Sequence, residues 1–295
     1  KQDTLQKFNS SNMPAYTTVN GLSSLLSTVK TKAPAESYAL IVGCHGTGWL
    51  YKEGVSRAQT RYFGGTEHFY QTNISTLAAA ISQSKMHMQF VMFDDCYMSN
   101  IEVAYEMRQA TDYLIGCCSE IMAYGMPYRL IWKHLAQAKP NYQEVVNEFH
   151  RFYSNYTYPY GNIGITDCSK VDEVIGLMRT INAATSGAYA APNWVDIQRL
   201  DGYQHTIFFD MGDYVNKLCN TPSTQHLALD MQTALNRLVP YKSCTPFIYT
   251  ALREISNNTI QVNNYSGITI SDPTVSAFEN ASTTKKATGW WKATH

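Results

Sequence analysis

The chain has 295 residues, 44% hydrophobic and 16% charged, with 23 basic and 23 acidic side chains that cancel. That length holds one large domain or a core with a smaller appendage, and the composition is that of an ordinary soluble globular protein. The balanced charge argues against nucleic acid, and no apolar run reaches the ~20 residues of a membrane span. Seven cysteines, an odd number in no scaffold spacing and with no Cys-x-x-Cys pair, argue against a disulfide framework or a structural zinc knuckle. The chain opens at Lys1, so a processed or engineered start is expected and any targeting segment lies outside it.

A polar opening leads into a helix marked by Leu22, Leu25, Leu26 and Val29 and ended by Pro34. A strand over Tyr38–Cys44 stops at His45-Gly46. Residues 46–72 lack periodicity and read as a long loop with a hairpin, a length usually reserved for function. A helix from Asn73 or Ser75 precedes strand Gln89–Phe93, which runs into Asp94-Asp95-Cys96. A helix over Ile101–Thr111, a strand over Tyr113–Cys118 and a loop over Ser119–Tyr128 follow. Residues 129–156 read as two helices separated by Pro140, then strand Ile163–Thr166 and a helix over 171–184. Alternating strands and helices predict an α/β fold with a mostly parallel sheet covered on both faces. Right-handed crossovers then bring His45, Cys96 and Ser119-Glu120 to one sheet edge. Past residue 185 the rhythm changes: helices near 209–219 and 224–239, then short β-like runs over 245–249, 259–262 and 267–271. The expected division is a catalytic core over 1–172 and a smaller α+β subdomain over 173–295 packed on it.

Two strand ends carry the chemistry. A free cysteine is usually an inert small hydrophobe, but Cys96 opens a turn into a helix, where unpaired N–H groups favour a thiolate. A lone strand-end histidine is usually just a satisfied polar residue, yet Gly46 follows His45 and lets backbone approach a substrate carbonyl. Together they suit a nucleophile pair: Cys96 attacks, His45 moves the proton, and the N–H groups of Gly46 and Cys96 hold the oxyanion. Cys44, on the opposite face of its strand, is expected to be buried under a helix, which disfavours a Cys44/His45/Cys96 zinc site.

Ala39-Leu40-Ile41-Val42-Gly43-Cys44-His45-Gly46-Thr47-Gly48-Trp49 resembles the His-Gly block of the clostripain family of cysteine peptidases. Phe93-Asp94-Asp95-Cys96-Tyr97-Met98 with Glu102-Val103-Ala104-Tyr105-Glu106 is similar to its Asp-x-Cys-x-Met block. Ser119–Tyr128, Gly164–Lys170, Phe209–Tyr214 and Tyr265–Ile270 extend the likeness along nearly the whole chain. The resemblance implies a caspase-like fold, shared with gingipains and legumains, and a Cys-His dyad at Cys96 and His45. It implies cleavage after Arg or Lys, Arg preferred, with Asp94 near the bottom of the S1 pocket and Tyr124 and Ser119 beside it.

Two departures stand out. Tyr124 occupies the position of a second pocket acid, which weakens selection for a basic P1 residue. Only about 37 residues precede the histidine strand, where relatives carry extra strands, so either a front segment was removed or the sheet edge closes differently. Many relatives cut themselves between histidine and cysteine, and Lys52, Arg57 and Arg61 lie in the matching loop, against the plain alternative of solvated surface charges. No cofactor is required; calcium is admitted as an accessory because some members use it, although no EF-hand spacing occurs. The expected partner is a peptide or protein substrate, for a monomer that is secreted or held at a bacterial surface. Two other readings use the same scaffold: a catalytically weak peptide- or glycan-binding protein rich in Tyr and Trp, and a transamidase.

Overall fold

A computed structural model describes residues 4–9, 11–49, 63–65, 70–185, 194–202, 206–251, 258–272 and 285–295. Helix α1 (Val19–Lys32) starts at Thr18, whose hydroxyl accepts from the Gly21 N–H, and ends with Lys30 and Lys32 at the carbonyl-rich terminus. Strand β1 (Tyr38–Gly43) follows, then a small antiparallel pair, β2 (Phe63–Gly64) and β3 (Gln71–Thr72). After α2 (Ile74–Gln83) comes β4 (Met88–Asp94), buried at five of its seven residues. Helix α3 (Ile101–Met107) is capped by Asn100, which accepts from the Glu102 and Val103 N–H groups, and gives way to β5 (Thr111–Gly116). This helix is shorter and the strand earlier than the periodicity predicts: Cys117 and Cys118 are buried just beyond β5.

Helices α4 (Tyr128–Leu135) and α5 (Tyr142–Asn155) lead to β6 (Asn162–Asp167). A 3₁₀ turn at Cys168–Lys170 enters α6 (Val171–Ala184), the span expected from its sequence. Then come β7 (Phe208–Asp210), α7 (Met211–Leu218), α8 (Gln225–Leu238), β8 (Tyr241–Cys244), β9 (Phe247–Tyr249), β10 (Thr259–Gln261), β11 (Thr269–Ser271) and α9 (Gly289–Thr294).

The central sheet has the order β1-β4-β5-β6-β8. The first three strands are parallel; β6 and β8 run antiparallel to their neighbours. The reversal at β6 follows from its connection. A single helix between strands returns the chain to the opposite end of the sheet and gives a parallel pair. Two packed helices, α4 and α5, return it to the end it left. Strand β8 comes from beyond residue 172, so both stretches of the chain build this sheet.

Strand alternation divides the core. From β4, Phe90 and Met92 face α4 and α5 with Ile115, Ile163 and Ile165. Val91 and Phe93 face a larger cluster that takes in residues of α2, α3, α6, α7, α8 and α9. Among the described residues no helix is long and apolar enough to cross a membrane.

Candidate active site

Strands β1 and β4 run in parallel register to the pair Gly43–Asp94. Two residues further along each chain stand His45 and Cys96. The segment carrying His45 is fixed from its other side by β2: the His45 N–H donates to the Gly64 carbonyl at 3.1 Å, and the Gly64 N–H donates back at 3.0 Å. Gly64 is suited to this task, because its φ is +133° and a Cβ there would lie 2.2 Å from the Tyr70 carbonyl oxygen. His45 is exposed and the next residue, Gly46, is buried. A Cβ on Gly46 would stand 2.6 Å from the Cys96 carbonyl oxygen. The backbone after the imidazole therefore lies directly against the residue that carries the thiol.

Cys96 is half-buried at the head of a tight turn. Tyr97 takes a left-handed φ of +63°, a conformation that costs about 1–2 kcal/mol for a residue with a Cβ. The turn is held on every side. The Tyr97 N–H donates to the Ser119 carbonyl and the Ser99 N–H to the Cys117 carbonyl. The Tyr97 hydroxyl donates to Glu120 at 2.8 Å, and its ring stacks on Phe208 at 5.4 Å. From β11 and the residues before it, the Gly267 carbonyl accepts from the Ser99 hydroxyl at 2.7 Å, and the Thr269 hydroxyl accepts from the Asn100 amide at 3.0 Å.

Burial pushes the Cys96 thiol up to about 12; an N–H from Ile121 works against that, and the charges of Glu120, Asp95 and Asp94 add to it. The sulfur on its own is therefore a thiol at neutral pH and needs a base to become a nucleophile.

Asp94, the last residue of β4, is half-buried. Its Oδ1 accepts from the Met126 N–H and its Oδ2 from the Tyr128 hydroxyl, both at 2.8 Å. Gly125 covers it with a φ of +71°, and a Cβ there would stand 2.7 Å from Oδ1. Burial first, then this bond to Asp94, raise the Tyr128 hydroxyl far above its ordinary value. Tyr124 is exposed, its ring against Phe152 at 4.5 Å. Ser119 is buried, and its hydroxyl accepts from the Asn162 amide. Lys52, Arg57 and Arg61 lie outside the described residues.

Glu120 accepts from the Tyr97 hydroxyl and, at 3.0 Å, from the Ala251 N–H. Among the described residues no three His, Cys, Asp or Glu side chains are grouped to hold a metal ion.

Two expectations are overturned: burial outweighs the turn's N–H groups, so the Cys96 thiolate is not favoured by its own setting, and Cys44 is not buried under a helix. Cys44 is exposed, and its thiol donates to the buried Asp95 at 3.3 Å. β1 ends at Gly43, so strand alternation does not extend to Cys44. Sequence reasoning also passed over Tyr128, whose place at the end of the Ser119–Tyr128 loop was the available signal. It missed the buried node of Glu102, Ser271, Lys285 and Trp49 as well. Lys285 and the Ser271 hydroxyl donate to Glu102, and the Trp49 indole donates to Ser271. No sequence spacing announces residues so far apart.

A helix-covered sheet in which neighbouring parallel strands end on an imidazole and a thiol is the architecture of caspase-like cysteine peptidases, and this chain is one. The sequence model of the clostripain family matches residues 3–220, and the chain belongs to that family. It is 43% identical to a secreted C11 cysteine protease from Bacteroides thetaiotaomicron, "iotapain", with a TM-score of 0.82 over 96% of this chain and 78% of that one. A clostripain from the same species, in complex with the peptide inhibitor BTN-VLTK-AOMK, is 44% identical; the match covers 79% of this chain and 99% of that one, with a TM-score of 0.69. An inactive zymogen C11 protease from Parabacteroides distasonis is 29% identical over 98% of this chain and 79% of that one, with a TM-score of 0.79. No curated protein matches the chain.

Proposed function

We propose that the chain is an endopeptidase that cuts after basic residues, Arg in preference to Lys, with Cys96 as nucleophile and His45 as its proton carrier. The observation that carries this reading is the close approach of Gly46 to the Cys96 carbonyl, three residues past Gly43 on one strand and two past Asp94 on the other. The His45 imidazole takes the proton from a thiol whose own surroundings hold it protonated. The sulfur adds to the scissile carbonyl, and the oxyanion is met by the N–H groups of Gly46 and Cys96. His45 then protonates the leaving amine, and water releases the acyl group by the reverse sequence.

Asp94 receives the P1 cation at the floor of the S1 pocket, with Ser119 and Tyr124 beside it. Each Asp94 oxygen already accepts one hydrogen bond, which fixes the carboxylate and leaves capacity for a guanidinium fork. Tyr124 supplies no second charge, so the preference for a basic residue is weaker than in a two-acid pocket, and Lys suffers more than Arg. The lysine-ended inhibitor bound by the clostripain relative supports a basic P1 class. Self-cleavage at Arg57 or Arg61, or at Lys52, opens the cleft, a reading supported by the zymogen relative. The enzyme works outside the cell as a monomer, as the secreted relative suggests for location, and its chemistry needs no cofactor, with calcium an accessory that an activity titration with chelator would expose.

A positional-scanning peptide library tests the core of this reading. Cleavage is expected after Arg, less after Lys, and not at all in Cys96→Ala. Asp94→Asn should lower kcat/KM for Arg by ~10²- to 10³-fold. Indifference to Arg in the unaltered chain would remove Asp94 from its role.

A further inference from the structure

The backbone pairing of β1 with β4 stops at Gly43 and Asp94. The next residue on each chain is Cys44 and Asp95, and their side chains meet: the Cys44 thiol donates to Asp95 Oδ2 at 3.3 Å. One residue further stand His45 and Cys96. Asp95 is 1% exposed, and among the described residues its Oδ1 has no hydrogen-bond partner. Gly46 closes over the same carboxyl, since a Cβ there would lie 2.7 Å from Asp95 Cγ.

We propose that Cys44 and Asp95 are a positioning pair for the peptidase reaction, a side-chain tie that sets the separation of His45 from Cys96 where the sheet's own hydrogen bonds have ended. The proposal rests on the assignment of Cys96 and His45 as nucleophile and proton carrier. A thiol is a weak donor, and in water this bond would count for little. Asp95 has left water, however, and Cys44 serves one of its two oxygens. Burial already raises the Asp95 carboxyl well above its ordinary range, and the Cys44 bond works against that; without this donor neither oxygen is satisfied, and the carboxyl is driven further toward holding a proton or turning away. Either response moves the residue that precedes the nucleophile. The tie also keeps the exposed thiol from competing with Cys96. Desolvation of its sulfur and the adjacent Asp95 carboxyl hold Cys44 far above the ordinary thiol range, so it stays protonated and unreactive.

The test uses the full chain, a fluorogenic peptide ending in arginine-aminomethylcoumarin, and the variants Cys44→Ser, Cys44→Ala, Asp95→Ala, Cys44→Ala with Asp95→Ala, and Cys96→Ala. A reacting geometry off by a fraction of an ångström to one ångström costs ~10- to 100-fold in rate. Cys44→Ala should therefore lose that factor in kcat with KM within about twofold of the parent. Cys44→Ser, which keeps a donor, should stay within about threefold of it. The double variant should be no worse than the poorer single variant, because both remove the same tie. A merely structural contact would lower the melting temperature without this split between kcat and KM. If Asp95→Ala fails to fold, the Ser and Ala variants at the exposed position 44 still decide the matter. Full kcat in Cys44→Ala, or equal losses in Cys44→Ser and Cys44→Ala, would overturn the pair while Cys96→Ala stays dead. Turnover by Cys96→Ala would instead overturn the assignment of the nucleophile.

Discussion

Substituting Gly46 by alanine probes the one contact on which the geometry of the site turns. The added methyl would lie 2.6 Å from the Cys96 carbonyl oxygen, 2.7 Å from Asp95 Cγ and 2.9 Å from Asp95 Oδ1, where ordinary contact begins at 3.4 Å. An overlap of nearly 1 Å against backbone is not relieved by turning a side chain. Either the segment 45–47 or the turn 95–97 must retreat by a comparable distance. Misplacing reacting groups by 1 Å costs on the order of 100-fold in rate, equal to ~2.7 kcal/mol of barrier. We expect kcat/KM on an arginyl fluorogenic peptide to fall by at least that factor while the protein still unfolds cooperatively. Gly43→Ala is the matched control three residues earlier: its Cβ would meet nothing within 4 Å, and activity should hold within about twofold. If Gly46→Ala is as active as the parent, the backbone after His45 does not abut Cys96, and His45 and Cys96 do not act as a dyad.

Two further outcomes follow from buried groups. Burial drives the Lys285 amine well below its ordinary range, so Lys285→Met chiefly removes a buried donor from Glu102 and should cost about 1–3 kcal/mol in chemical denaturation, most of it recovered when Glu102→Gln is added; a loss below ~0.5 kcal/mol would show that the two side chains are not paired as described. In His45→Ala, alkylation of Cys96 followed by mass spectrometry should accelerate about tenfold per pH unit from 7 to 10 without levelling, because the thiolate form appears only as pH approaches a value near 12. The unaltered chain, with the imidazole as base, should level off earlier. A plateau near pH 8.5 in the variant would mean that the thiol is far less desolvated than its setting implies.

Strand positions were legible wherever the apolar run was long and ended abruptly. Tyr38–Gly43 and Met88–Asp94 stand within a residue or so of their expected bounds, because each is a mostly apolar run that stops abruptly before polar residues. Helix α6 begins at Val171 and ends at Ala184 as its periodicity indicates. Among the short pieces, the runs over 245–249, 259–262 and 267–271 hold β9, β10 and β11, but two others were not legible. Phe208–Asp210 and Tyr241–Cys244 are three- and four-residue strands whose existence depends on a partner far away in sequence, Thr269–Ser271 for one and Asn162–Ile165 for the other. The reversal of β6 was hidden for a related reason, since a pair of helices and a single one look alike until the direction of return is counted. At the site, the places of His45, Cys96 and Asp94 at neighbouring strand ends could be read from the apolar runs that stop there. The contacts that hold them could not: Gly64 behind His45, Tyr128 on Asp94 and Cys44 on Asp95 are all products of tertiary packing.

The brace beneath the Cys96 turn comes from residues 267–269, about 170 positions later in the chain. At a synthesis rate of ~5–20 residues per second, the ribosome takes on the order of ten to thirty seconds to deliver those residues after the cysteine has been made. During that interval the strained Tyr97 backbone lacks part of the support it needs. The turn that carries Cys96 therefore gains its full support only after residue 269 has been made, a delay that comes from the long sequence separation of these contacts.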